Sequence, residues 1–155
     1  MSERGPAPEG GHRVVVGVDG SDPSRRALDE ATRQAVATGT ALEVVSAWEW
    51  PTSTGWTLPL PEGYDPEADA QGLVDGLLEP VRAAHPDLEV RTVVAEGSPA
   101  GLLVKASAGA DLLVVGNRGH GGIAGMLLGS VSEHCVSSAH CPVLVVRDDR
   151  HGSHH

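Results

Sequence analysis

One stretch has residue types and spacing suited to chemistry. From Asp111 to Ser132 the chain reads DLLVVGNRGHGGIAGMLLGSVS, with glycines at 116, 119, 121, 122, 125 and 129. Glycine lets the main chain approach a ligand closely and adopt positive φ without strain. The run closes on Gly129-Ser130-Val131-Ser132 ahead of a segment with helical content. Open N–H groups at a helix start, together with the helix dipole, favour negative charge. A strand, a glycine-rich loop and a helix start therefore describe a backbone-lined anion cradle, to which Ser130 and Ser132 add hydroxyl donors. The plainer alternative is a loop connection with a helix cap. A Walker P-loop is excluded, because it needs Lys after its second glycine and the single Lys in the chain is Lys105. The dinucleotide fingerprint GxGxxG does not follow the first strand either.

The elements that must position this loop follow from apolar runs and their punctuation. Arg13 to Val18 (RVVVGV) and Leu112 to Val115 read as strands buried on both faces. Leu42 to Ala47, Leu88 to Val94 and Val143 to Val146 supply three more. Ser21 or Asp22 caps a first helix with Pro23 at its first position, apolar at Ala27, Leu28, Ala31 and Ala35 and ending at Thr38-Gly39. Asp65-Pro66 opens a second helix that presents Leu73, Val74, Leu77, Leu78 and Val81, and Pro80 is expected to kink it or end its regular part. Ser98-Pro99 caps a short third helix, and a fourth runs from about Ser130 to Ala139. The segment from Trp48 to Asp65 is irregular and long for a connection, so it reads as a mobile stretch or a lid.

Strands alternating with helices predict an α/β fold with a parallel sheet and right-handed crossovers. Ligands on such sheets sit beyond the carboxyl ends of the strands, where strand order reverses.

Gly116, two residues, Gly119, nine residues, then Gly129-Ser130 resembles the nucleotide motif of the universal stress protein family, in its ATP-binding branch. VVVGVDGSDPS near the start, VVAEGSPA in the middle and HCPVLVVRD at the end match as well, so the resemblance covers roughly residues 12 to 148. It implies a five-stranded parallel sheet of order 3-2-1-4-5 with helices on both faces, Rossmann-like and of the nucleotide-alpha hydrolase type. Asp19 and Gly116, each just past a strand, would then face one cavity. The resemblance places Gly116 and Gly119 near the ribose and first phosphate, and Gly129, Ser130, Val131 and Ser132 at the outer phosphates. It makes Asp19 a contact to ribose, base edge or metal, although Asp19 could merely cap the first helix. Gly17 would leave room for the base. Val45 and Ala47 would form an apolar wall for adenine or plain core, and Gly97 would line the same crevice. Asn117 and Arg118 are open between a phosphate contact and a solvent-facing position. The implied ligand is ATP, or AMP or ADP, with Mg or Mn. The implied assembly is a homodimer through the last strand, with an unidentified regulatory protein as reader of nucleotide occupancy.

Composition agrees with a nucleotide-binding α/β domain and narrows the alternatives. The 155 residues suit one domain, expected at 12–148 between a disordered lead-in at 1–11 and a tail at 149–155. Hydrophobic residues make up 40%, Phe is absent, and Trp48, Trp50, Trp56 and Tyr64 are the aromatics. The net charge of −10 opposes non-specific nucleic-acid binding, which rests on phosphate neutralisation. No apolar stretch approaches the roughly 20 residues of a membrane span, and MSERGPAPEGGH has no hydrophobic run of the kind in a secretory signal. With two cysteines there is no disulfide framework, so a reducing cytoplasm is the expected compartment. His134, Cys135, His140 and Cys141 match no zinc spacing. His120 is the acid–base candidate in the loop and has no evident catalytic partner. A binding module is therefore expected, with slow ATP hydrolysis or adenylyl transfer as the enzymatic alternative and a nucleotide-free dimeric assembly protein as the third.

Overall fold

Inner strands that are apolar at every position need cover on both faces, and the helices supply it. The computed structural model describes residues 11–50, 62–118 and 128–147. Its elements in order are β1 (Arg13–Gly17), α1 (Asp22–Thr38), β2 (Ala41–Trp48), α2 (Pro66–Ala84), β3 (Val90–Glu96), α3 (Pro99–Ser107), β4 (Leu112–Gly116), α4 (Ser130–Ser138) and β5 (Val143–Val146). The five strands form one sheet of order β3-β2-β1-β4-β5, and all of its pairings are parallel. This is the Rossmann-like arrangement that the sequence predicts.

Alternation along the strands divides the core in two. Val14, Val16, Leu42, Val44 and Val114 pack with Ala27, Leu28, Ala31 and Ala35 of α1 and with Val74 and Leu78 of α2. Val15, Val45, Leu113 and Val115 pack on the other face with Leu103 of α3 and Cys135 of α4. On that second face Arg13 is nearly buried beside Glu43, Nε to Oε1 3.2 Å, with side chains 8% and 13% exposed. Its guanidinium also donates to the carbonyls of Ala106 and Ala108 at 2.9 and 3.1 Å, fastening β1 to the end of α3.

Local chemistry sets the helix limits. Ser21, Asp65 and Ser98 each accept a hydrogen bond from an amide in the first turn of α1, α2 and α3, and Pro follows at the start of each helix. Gly39 ends α1 in the left-handed region at φ 68, which a Cβ disfavours. Two expectations are narrowed or corrected. Of the kink or end expected at Pro80, the end is not found, since α2 continues to Ala84. The proline ring lies on the exposed side, where the Gly76 carbonyl that loses its amide partner can turn to water, while Val74 and Leu78 hold the helix to the core. The third strand begins at Val90 rather than Leu88, because the Leu88 N–H is committed to a turn with the His85 carbonyl.

The glycine that ends β4 is set by packing. A Cβ at position 116 would stand 2.7 Å from the Pro23 carbonyl oxygen and 2.8 Å from its carbonyl carbon. Those are backbone atoms in the first turn of α1 and cannot rotate aside. The expected effect of Gly116→Ala is a loss of about 1–3 kcal/mol, read as a lower urea midpoint at unchanged slope. Pro80→Ala is expected to act in the opposite sense. It restores an amide opposite Gly76 in an exposed helix interior, and the midpoint should rise by the equivalent of about 1–2 kcal/mol.

Candidate functional site

The reversal of strand order lies between β1 and β4. From β1 the chain leaves through α1 toward β2, and it returns through α3 to β4 on the other side of β1. Pairing of β1 with β4 stops at Val16 opposite Val114. Beyond that point β1 leans to β2, where the Val18 N–H bonds the Val45 carbonyl at 3.0 Å. The two strand ends part, and a cavity of about 90 Å³ opens there. This is the place the fold rule assigns to ligands.

Several predicted site residues come together in this cavity. Gly17, Asp19, Val45, Ala47, Gly116, Arg118, Val131 and Ser132 all line it. Asp19 and Gly116 share it, as expected for residues just past neighbouring strands. Val18, Ser24, Pro99, Leu103 and Val115 complete the wall and were not singled out from the sequence. Pro99 reads there as a helix-start residue and Leu103 as an ordinary apolar position of α3. None carries a local signal that separates a cavity wall from core.

Others lie apart from it. Gly97 is not on the wall; its N–H donates to the Trp48 carbonyl at 3.0 Å, and its φ of 142 is a turn conformation that favours glycine. Gly129 is the N-cap of α4, and its N–H is already given to the Asn117 carbonyl at 2.7 Å. Asn117 is 8% exposed and donates its own N–H to the Val146 carbonyl at 2.8 Å, so its main chain serves the loop base and β5. Ser130 is exposed at the start of α4. Gly119, His120 and Trp56 lie outside the described residues. Trp48 and Trp50 meet edge to face at 5.8 Å, and Trp50 meets Tyr64 at 6.1 Å. None of the three lines the cavity, so the described aromatics pack against one another.

Two donors assigned to phosphate are engaged within the protein. Besides the Gly129 amide, the Ser132 hydroxyl donates to the Gly116 carbonyl. A Cβ at Gly17 would stand 2.7 Å from Leu103 Cδ1, the tip of a side chain that would have to turn aside. Ser21, rather than Asp19, is the N-cap of α1, and Asp19 braces the turn ahead of it. Its Oδ1 accepts from the N–H and hydroxyl of Ser21 at 2.9 and 2.6 Å, fixing the turn into α1, and the residue stands exposed on the cavity wall.

The open chemistry is at the start of α4. Its N-cap is glycine, and no side chain caps it, whereas a side-chain oxygen caps α1, α2 and α3. Helix geometry leaves the first-turn amides of Ser130, Val131 and Ser132 without intrahelical acceptors. Val131 and Ser132 border the cavity together with Arg118. The cavity therefore offers an apolar wall from Val45, Ala47, Leu103 and Val115 and, beside an arginine, an edge of first-turn N–H groups that have no intrahelical acceptor.

Metal chemistry finds little support at the cysteines. Burial raises the Cys135 thiol to about 11 and pushes the Cys141 thiol up as well. Metal binding requires thiolate, so both environments oppose it. Among the described residues no three His, Cys, Asp or Glu side chains gather as a metal-binding group.

Comparison with known proteins supplies a family. The family model described as the universal stress protein family matches residues 11–147. Universal stress protein Rv2005c of Mycobacterium tuberculosis is 41% identical over 137 residues, covering 86% of this chain and 45% of the relative. The chain thus spans less than half the length of the curated relatives it matches. A universal stress protein solved in complex with cAMP is 33% identical with a TM-score of 0.65, covering 89% of this chain and 98% of the other. The universal stress protein from Archaeoglobus fulgidus in complex with dAMP shares the fold, with a TM-score of 0.62 at 22% identity over 87% of this chain and 97% of the other. The glycine-rich strand-to-helix junction, the sheet order and the match along nearly all the described residues lead to one assignment: the chain belongs to the universal stress protein family.

Proposed function

We propose that this protein binds an adenine nucleotide, ATP in the first place and AMP or ADP by the same contacts, and acts as a nucleotide-dependent regulatory module. One observation carries the reading: an apolar cavity at the reversal of strand order ends on the uncapped start of α4. Adenine would lie against Val45, Ala47 and Leu103, and the phosphates would run toward Arg118 and the amides of Ser130 and Val131. At about 90 Å³ the described cavity is smaller than the ~300 Å³ or more of usual ligand sites. It therefore takes the base, with the phosphates outside it along α4. Hydrogen bonds to charged groups contribute about 1.5–3 kcal/mol each, so a few amides support micromolar binding. A relative that matches this chain almost end to end holds cAMP, which places an adenine nucleotide in a protein of this family.

A divalent cation fits the same arrangement. Asp19 is the carboxylate on the cavity wall among the described residues, and Mg²⁺ is usually held by one or two carboxylates with phosphate oxygens and water. Mg or Mn with ATP would neutralise phosphate charge beside Asp19. A regulatory role follows better than catalysis, because the other described lining residues offer no general base. Among the described residues no helix is long and apolar enough to cross a membrane, and a cytoplasmic site of action is part of this reading.

We also infer a homodimer through β5. This edge strand of Val143, Leu144, Val145 and Val146 is half-buried along its length, and apolar edges call for cover. Sedimentation equilibrium at micromolar concentration should return the mass of two chains; the mass of one chain would contradict it.

The nucleotide reading is tested by calorimetric titration with ATP in the presence and absence of Mg²⁺. Micromolar binding is expected. Ser130→Asp should weaken it at least about ten-fold, because a carboxylate then stands where phosphate would be. The same carboxylate suits a helix start and should raise thermal stability by about 0.3–1 kcal/mol. Failure of the wild-type protein to bind ATP, ADP, AMP or cAMP would refute the reading.

A further inference from the structure

The residues that close the base of the glycine-rich loop divide the work of its two serines. This division presupposes the nucleotide-binding reading above. We propose that Ser132 is a positioning residue: its hydroxyl ties the first turn of α4 to the end of β4 and does not itself hold phosphate.

Ser132 is 3% exposed, and its hydroxyl donates to the Gly116 carbonyl. A serine hydroxyl has a single proton to donate. Ionised phosphate oxygens only accept, so a proton committed to Gly116 is not available to them. The carbonyl concerned lies two residues beyond Val114, the last partner of β1 on β4. It stands where the pairing of β1 with β4 has ended, although β4 still pairs with β5 at Gly116, and Ser132 satisfies it. A second tether lies three residues earlier. The Gly129 N–H donates to the Asn117 carbonyl at 2.7 Å, and Asn117 is held in turn by its N–H bond to Val146 at 2.8 Å.

Consecutive residues at the end of β4 thus grip α4 at positions 129 and 132. Ser130 and Val131 lie between the grips. Their amides are the ones helix geometry leaves open, and the two tethers fix the direction in which they point. Ser130, exposed and outside this network, is the hydroxyl available to a phosphate. Pre-ordering these amides lowers the ordering cost of binding. A buried hydroxyl that touches no ligand can therefore govern affinity as strongly as one that does.

The test compares Ser132→Ala, Ser132→Thr and Ser130→Ala in the full chain. Amide hydrogen exchange at Gly129 is measured by NMR without nucleotide, and ATP affinity by calorimetry. Loss of the Gly116 bond should speed Gly129 exchange about ten-fold in Ser132→Ala and weaken ATP about ten-fold. Ser132→Thr, which keeps the hydroxyl, should restore both to within about two-fold of wild type. Ser130→Ala should weaken ATP and leave Gly129 exchange at the wild-type rate. Should the alanine variant lose its fold, Ser132→Cys keeps the volume, donates poorly, and is expected to show the same faster exchange. Wild-type Gly129 exchange in Ser132→Ala alongside weakened ATP would make Ser132 a direct ligand and overturn the positioning role, as would unchanged ATP affinity. If the wild-type protein binds no nucleotide, the binding reading fails, while Gly129 exchange still decides whether Ser132 is the tether.

Discussion

The parting of β1 and β4 is the constraint on which the rest of the structure depends. In a parallel sheet the chain can add strands outward from β1 on either side, and here it does both. The helices after β1 and before β4 must then lie on opposite faces to keep right-handed crossovers, which α1 and α3 do. With α1 leaving one strand end and α3 packed beneath, a cavity opens among the described residues beyond Val16 and Val114. The cavity, the turn held by Asp19 and the exposed start of α4 all follow from that reversal.

The glycines at this junction are first a packing requirement. Gly116 is small because the main chain of Pro23 passes within van der Waals contact, while at Gly17 the tip of the Leu103 side chain occupies the place of a Cβ. Both allow a helix to approach a strand end more closely than a side chain permits. The third glycine of the dinucleotide fingerprint meets the same need for close helix–strand packing. Close approach then has a functional consequence: it draws α1 and α3 in against the cavity, so the base would meet apolar walls rather than water. Opposite these walls α4 starts without a side-chain cap, and Arg118 adds positive charge on an otherwise acidic chain.

Much of the fold was legible because local signals agreed with one another. The runs RVVVG and LLVVG admit only strands covered on both faces, and Ser-Asp-Pro, Asp-Pro and Ser-Pro mark the helix starts within a residue. Where reading by pattern failed, tertiary packing outweighed a local preference. Pro80 reads as a kink or an end, and Val74 and Leu78 hold α2 to the core so that it continues past the proline. Leu88 reads as strand, yet its amide belongs to a turn. In the site, residue types adjacent to strand ends were found, because geometry brings strand ends together. Leu103 was not, since an apolar helix face looks the same over core and over cavity. The partner of the Ser132 hydroxyl was beyond reach as well: serine in a phosphate motif can donate outward or inward, and only the position of the Gly116 carbonyl decides.

In the proposed binding mode, main-chain N–H groups at the start of α4 hold the phosphates of an adenine nucleotide whose base lies between the ends of β1 and β4. NMR titration of the full chain with ATP and, separately, with adenosine distinguishes the two halves of the site. ATP should shift the amides of Ser130 and Val131 together with those of Val45 and Ala47, and adenosine should shift only the latter pair. Amides of Ser130 and Val131 that stay unmoved at saturating ATP, or that respond equally to adenosine, would contradict it.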